Sequence, residues 1–298
     1  MSSFWSGWII LLTVANIIGA VWLLRITSKM SPEENASDTT GHVWDGDLKE
    51  YNNPLPRWWL WLFYLSVVFS VIYLILFPGL GNFKGLLGWS QTGQYEQEVQ
   101  LIEERQEAFF SRFAEMDVAQ LAADPDAMSA AANIFGNRCA QCHGSDGRGA
   151  RGFPNLTDAA WLWGGDETAV LSSIQNGRAG IMPPMADSLG GTQGVAQMVE
   201  YVRSLSGLDH DAAMAAAAAP LWPVCGACHG MDGSGMTALG SPNLTDGNWL
   251  YGSDRNTNTE TIMGGRQNQM PAQLPVLGEL QSRVMTAYVL RLSGQVGD

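Results

Sequence analysis

The feature that most constrains this chain is an internal repeat. Cys139-Ala-Gln-Cys-His-Gly-Ser-Asp-Gly-Arg-Gly149 lies over Cys225-Gly-Ala-Cys-His-Gly-Met-Asp-Gly-Ser-Gly235 with an offset of 86. After a two-residue insertion the offset is 88, and Pro154-Asn-Leu-Thr-Asp158 matches Pro242-Asn-Leu-Thr-Asp246. Trp161 then falls on Trp249, Ile174 on Ile262, Gly177-Arg178 on Gly265-Arg266, and Met182-Pro183 on Met270-Pro271. Tyr201-Val202 matches Tyr288-Val289 near the close of each copy. A period of this size is a small domain rather than a solenoid unit. The spacing predicts two tandem domains, 127–207 and 213–298. Each reads as mostly helical. Ala-rich segments at 128–135 and 212–219 precede the motifs. Segments 195–205 and 280–292 have apolar residues at helical spacing. Gly, Pro, Asn and Asp between them mark loops.

All four Cys, and two of the four His, belong to the two copies of C-x-x-C-H. None is left for a disulfide or a thiol nucleophile. C-x-x-C-H marks covalent attachment of c-type haem. Two thiols three positions apart add to the haem vinyl groups, and the adjacent His reaches the iron. The expected thioether residues are Cys139, Cys142, Cys225 and Cys228, and the expected proximal ligands are His143 and His229. A small, loop-rich domain has a thin core, and a flat apolar cofactor supplies the missing part. Zinc and a dithiol redox pair are the alternative readings. Zinc is satisfied by ligand count but leaves the repeated Met-Pro unexplained.

The sixth ligand is expected to be a Met some way downstream, since a thioether raises the potential of the iron. Met182 and Met270 occupy matched positions. Met185 has no counterpart and reads as packing. The sequence leaves open whether each Met serves the haem of its own domain or the other. Two iron centres with both axial positions filled carry electrons and perform no bond chemistry, so no catalytic residue is expected. Arg178 and Arg266, four residues before each Met, are candidate partners for haem propionates. Trp161 and Trp249 read as packing residues, and His210 as a solvated linker residue.

Residues 4–24 and 58–77 contain no charged side chain and are each long enough to cross a bilayer as a helix. Trp5, Trp8 and Trp22 mark the ends of the first run; Trp58, Trp59 and Trp61 begin the second, as suits the headgroup layer. The first basic residue, Arg25, follows the first run, so a cleaved signal peptide is disfavoured. The 25–57 loop carries Arg25, Lys29, Lys49 and Arg57, which makes it the cytoplasmic side. Both termini then lie outside, in the periplasm. His42 lies in this loop, away from the haem motifs. The expected organisation is a transmembrane helix in 1–30, a cytoplasmic loop over 31–57, a second transmembrane helix over 58–78, and a periplasmic linker helix over 79–126. The linker's charged face and its apolar Val99, Leu101, Ile102, Phe109 and Phe110 fit either docking on a partner or a solvated helix.

From Pro78 onward there are 12 basic and 23 acidic residues, and the whole chain has a formal charge of −13. That balance excludes a nucleic-acid binder. It also predicts that a donor is steered by complementary positive charge.

The stretch Gly-His-Val-Trp-Asp-Gly-Asp-Leu-Lys-Glu-Tyr-Asn-Asn-Pro-Leu-Pro-Arg-Trp-Trp, from Gly41 to Trp59, resembles the segment before the membrane anchor in the dihaem subunit of cbb3-type cytochrome c oxidases, subunit III or the CcoP/FixP family. Pro78-Gly-Leu-Gly-Asn-Phe-Lys-Gly-Leu-Leu-Gly-Trp89 and the two haem motifs with their Met-Pro pairs resemble it as well. The resemblance runs from residue 41 to the end of the chain. The departure is the span at 4–24, since many members carry a single anchor; it is similar to a small single-span accessory subunit. The resemblance implies a mainly α fold, with two class I cytochrome c-like domains after the membrane helices, and two covalent haem c groups. It implies a subunit that is not an enzyme on its own. It would take electrons from a soluble cytochrome c donor and pass them to a monohaem cytochrome c subunit. They end at the haem–copper catalytic subunit, where O2 is reduced and protons are pumped. The lipid bilayer is the remaining partner. A dihaem carrier of another membrane complex, such as a nitric oxide reductase or a quinol-oxidising complex, is the alternative. A dihaem peroxidase needs an open iron, which the matched Met182 and Met270 argue against.

Overall fold

The computed structural model describes residues 1–28, 39–51 and 55–296. They fall into two compact units, 1–105 and 106–298.

In the first unit, helix α1 (Ser3–Thr27) and helix α2 (Arg57–Leu76) each have a mean hydropathy of 2.2 over their best window. At 25 and 20 residues they reach about 37 and 30 Å, enough to cross the hydrocarbon core. The two run a few residues beyond or beside the expected spans. Ser6 is buried, and its hydroxyl accepts a hydrogen bond from the Asn82 N–H at 2.9 Å. The first turn of α1 is thereby tied to the loop that follows α2. A β-hairpin lies between the helices: β1 (Thr39–Trp44) pairs antiparallel with β2 (Leu48–Tyr51). The turn has Asp45 at φ +49° and Gly46 at φ +93°. This hairpin was not expected, although Asp-Gly between strand-forming residues is its usual signal. Lys29 and residues 52–54 of the Gly41–Trp59 stretch lie outside the described residues.

The stretch expected as one linker helix over 79–126 is broken. Helix α3 (Gln91–Ser111) ends where Phe110 and Phe113 turn into the core of the second unit. Asp117 and Gln120 then form a reciprocal capping box that starts α4 (Val118–Ala123). Asp124 caps α5 (Pro125–Arg138), with Pro at its first position. A continuous helix would leave Phe113, Val118 and Leu121 in water, whereas here they are buried. Of the linker's apolar residues, Phe109 and Phe110 pack into that core, while Leu101 and Ile102 stay exposed.

In the second unit the repeat is plain. Helix α6 (Ala140–His143) carries the end of the first motif, followed by α7 (Glu167–Asn176), β3 (Arg178–Met182) and α8 (Thr192–Leu205). After α9 (Ala212–Ala218), helix α10 (Pro223–His229) carries the second motif, followed by α11 (Arg255–Gly264), β4 (Arg266–Met270) and α12 (Leu274–Leu292). Asp166 caps α7 and Asp254 caps α11 in the same way. The segment labelled α12 is interrupted at Gly278.

The closing helices are exchanged between the repeats. Helix α12 packs on α4, α5 and α7, so Val284, Met285, Ala287 and Leu290 share a core with Leu121, Ala131, Phe135 and Val170. Helix α8 packs on α9 and α11, so Val195, Met198 and Val199 share a core with Ala218, Trp222 and Ile262. Phe135 meets Tyr288 at 5.5 Å between ring centroids, and Trp222 meets Tyr201 at 5.2 Å. The chain crosses where β3 and β4 pair antiparallel, from Arg178 opposite Met270 to Met182 opposite Arg266.

The cause of the exchange is a short connection. Only residues 206–211 separate α8 from α9, and helices joined by so short a loop become antiparallel neighbours. Polar contacts hold the exchanged helices. Glu200 on α8 accepts from Arg255 of α11 at 2.7 Å and from the Asp211 N–H at 2.8 Å. Arg203 donates to the Asp209 carbonyl at 2.9 Å and to that of Ser253. On α12, Arg291 donates to the Ala122 carbonyl at 3.1 Å and Arg283 to that of Ala114 at 2.7 Å.

Candidate haem-binding centre

Each C-x-x-C-H motif ends on a short helix that presents its His inward. The His143 ring is buried, with Nδ1 3.0 Å from the Pro154 carbonyl. The His229 ring is buried, with Nδ1 3.1 Å from the Pro242 carbonyl. A carbonyl only accepts, so Nδ1 carries the proton and Nε2 presents its lone pair, the arrangement of a metal-ligating histidine. Burial pushes the His229 pKa down, which favours the neutral, ligating imidazole.

The repeated Pro-Asn-Leu-Thr-Asp segment explains how those carbonyls are placed. Asn155 accepts from the Thr157 N–H and hydroxyl at 2.9 and 2.8 Å. Asn243 does the same for Thr245 at 2.8 and 2.7 Å. These Asx turns fix the loop whose proline carbonyl holds each ring. This orienting role of Pro154 and Pro242 was not read from the sequence, although the identical segment in both copies is the signal for it.

None of the four Cys is joined in a disulfide. Burial pushes the pKa of Cys139 and Cys225 up, which keeps them neutral rather than reactive thiolates. Among the described residues no group of three or more His, Cys, Asp or Glu is assembled to hold a metal ion, which counts against a zinc site built from such ligands. The donor set therefore fits covalent haem c: paired thiols, a pre-oriented imidazole and a thioether within the same core.

Each methionine packs on the core that also takes the first Cys of the other repeat's motif. Met270 packs on the first core together with Cys139 and Trp161. Met182 packs on the second core together with Cys225 and Trp249, and Met185 lies there too. The loops are anchored symmetrically. The Met185 N–H donates to the Ile262 carbonyl, and the Gln273 N–H to the Ile174 carbonyl, both at 2.9 Å.

Arg178 and Arg266 keep matched places with different surroundings. Arg178 donates to Ser173 Oγ at 2.9 Å and the Ala169 carbonyl at 3.2 Å, and its guanidinium lies 5.0 Å from the Trp163 ring centroid. Arg266 donates to Thr261 Oγ1 and pairs with Glu260 at 2.8 Å, lying 4.3 Å from the Tyr251 ring centroid. His210 is exposed, with Nδ1 on the Leu208 carbonyl at 2.8 Å. His42 lies in the hairpin of the first unit.

Comparison with known proteins identifies the family. The family described as "N-terminal domain of cytochrome oxidase-cbb3, FixP" matches residues 36–84. "Cytochrome C oxidase, cbb3-type, subunit III" matches residues 126–202. The chain is 45% identical over 294 residues to a cbb3-type cytochrome c oxidase subunit CcoP of Rubrivivax gelatinosus, covering 98% of this chain and 96% of the relative. It is 40% identical over 286 residues to a subunit CcoP of Cereibacter sphaeroides, covering 90% and 98%. It is 37% identical over 274 residues to a subunit FixP of Azorhizobium caulinodans, covering 86% and 93%. The Rubrivivax match covers so much of this chain that most of α1 falls within it. The chain belongs to the CcoP/FixP family of cbb3-type cytochrome c oxidase subunits.

Proposed function

We propose that the chain is the membrane-anchored dihaem electron-transfer subunit of a cbb3-type cytochrome c oxidase. It accepts electrons from soluble periplasmic cytochromes c and hands them to the monohaem subunit, from which they reach the O2-reducing haem–copper subunit. Helices α1 and α2 cross the bacterial inner membrane. Arg25, Lys49 and Arg57 keep the hairpin side cytoplasmic, and both termini and the haem domains lie in the periplasm.

The observation that carries this reading is the duplicated His–carbonyl geometry, 3.0 Å at His143 and 3.1 Å at His229, each with a Met of the other repeat in its core. Haem c, when bound, is a one-electron carrier whose potential the protein tunes. Cys139 and Cys142 would hold one group, and Cys225 and Cys228 the other. His143 with Met270, and His229 with Met182, would hold the iron of each group, so each haem domain would be composite. Arg178 and Arg266 keep donor hydrogens for the propionates. An iron held by both a His and a Met would leave no place for substrate, and no catalytic residue is assigned.

The test is a pyridine haemochrome determination on the membrane-extracted chain, with the His–Met charge-transfer band read in the oxidised state. Two c-type haems per chain, both with that band, and co-purification of a haem–copper subunit are expected. One haem without the band, or purification free of an oxidase, overturns the reading.

A further inference from the structure

We propose that the loop around the second C-x-x-C-H motif is the docking face for the soluble electron donor, a small protein presenting an apolar centre ringed by Lys or Arg. This inference rests on the assignment of haem to both motifs. It is carried by a contrast between the two repeats at matched positions. Over 136–163 the first haem loop carries Arg138, Arg148 and Arg151 against Asp146 and Asp158. Over 222–251 the second has no Lys or Arg and carries Asp232 and Asp246.

The cations are replaced largely by apolar side chains. Arg138 corresponds to Val224, Ser145 to Met231 and Ala150 to Met236, and the two-residue insertion brings Leu239. All four are open to solvent, at 40% for Val224, 65% for Met231, 39% for Met236 and 49% for Leu239. Cys228 is exposed as well, whereas Cys142 is half-buried. On the first loop Arg138, Arg148 and Arg151 are exposed, Arg148 beside Asp146 and Arg151 reaching Glu260, and Phe153, at 42%, is its one exposed large apolar side chain.

An exposed apolar group beside a haem motif suits a brief redox encounter. Such complexes bury little area, and their apolar centre excludes water where electrons cross. Flexible Met side chains adapt to more than one partner surface. Charge supplies the steering. Asp232 adjoins Met231, and hydrogen bonds from Ser234, at 3.1 Å from N and 2.8 Å from Oγ, hold it as a carboxylate. A basic donor is attracted to this face and repelled by the arginines of the first loop. An acidic protein has the opposite preference.

The experiment is stopped-flow reduction of the full-length, haem-loaded chain in detergent by a reduced, lysine-rich soluble cytochrome c, at several salt concentrations. Haem content of each motif is measured first. The Val224→Lys, Met231→Lys double variant is expected to lower the second-order rate constant about tenfold at low salt, with both midpoint potentials unchanged. An Arg138→Gln, Arg148→Gln variant is expected to stay within about twofold of the parent. A parental rate in the lysine variant, or an equal loss in the arginine variant, overturns the proposal. Absence of haem from the second motif overturns the underlying assignment and this inference with it.

Discussion

The main-chain carbonyl of Met270 occupies the space where a side chain on Gly177 would begin, and the Met182 carbonyl stands in the same relation to Gly265. Both glycines end a helix and open the strand at which the chain crosses between repeats. Gly177 has φ +69° and ψ −177°, and Gly265 φ +70° and ψ −176°, a region only glycine occupies without strain. Gly177→Ala is expected to cost on the order of 2–3 kcal/mol and to push the Met270 loop away. The observable is loss of the His–Met band from one of the two haems, together with a lower unfolding temperature. Retention of both bands and of stability would sink the idea that this approach positions the thioether.

Exchange of the closing helices makes the ligand pairing testable. In a chain loaded only at the first motif, through Cys225→Ser and Cys228→Ser, Met270→Ala is expected to abolish the His–Met band and Met182→Ala to preserve it. In the chain loaded only at the second motif the two effects reverse. The opposite assignment would show that each Met serves its own repeat.

Glu200 links acid sensitivity to the exchange. Its pKa is held below the ordinary value near 4.5, chiefly by the hydrogen bonds from Arg255, with the Asp211 N–H adding to them. The unfolded chain therefore binds the proton more tightly. The stabilisation is fully present above about pH 4.5 and is lost as pH falls through the lower folded value. Glu200→Gln should lower the unfolding temperature at neutral pH and weaken the loss of stability between neutrality and acid. Thermal scans followed by circular dichroism from pH 7 downward check this, and identical pH slopes for parent and variant would refute it.

Much of this was legible in the sequence because it depends on local chemistry. The two apolar runs became helices at nearly the expected residues, and the offset of 88 reappears in paired caps at Asp166 and Asp254. The exchange was not read, because the two closing helices carry the same Tyr-Val pair. Either can face the aromatic residue before either motif, so periodicity cannot choose between Phe135 and Trp222 as the partner of Tyr201. What chooses is the brevity of residues 206–211, a signal present in the sequence but silent about partners until the helices are placed. The break in the linker has a related cause: its charge pattern is helical, but Phe113 and Leu121 are claimed by a core whose other wall, α12, lies far along the chain.

That long-range wall gives the last prediction. Phe135 is 2% exposed and packs on Tyr288, 5.5 Å between centroids. Phe135→Ala in the full chain is expected to cost about 3–5 kcal/mol, through lost burial and the cavity left behind. Tyr288→Ala should be costly too, and the pair should couple by about 0.5–1.5 kcal/mol beyond additivity, as touching aromatic rings do. Phe135 and Tyr201 lie in different cores, so that pair should add within about 0.5 kcal/mol. Denaturant titration of the full chain followed by Trp fluorescence measures both cycles. If Phe135 couples to Tyr201 and not to Tyr288, each repeat closes on its own helix and the composite haem domains fall with it.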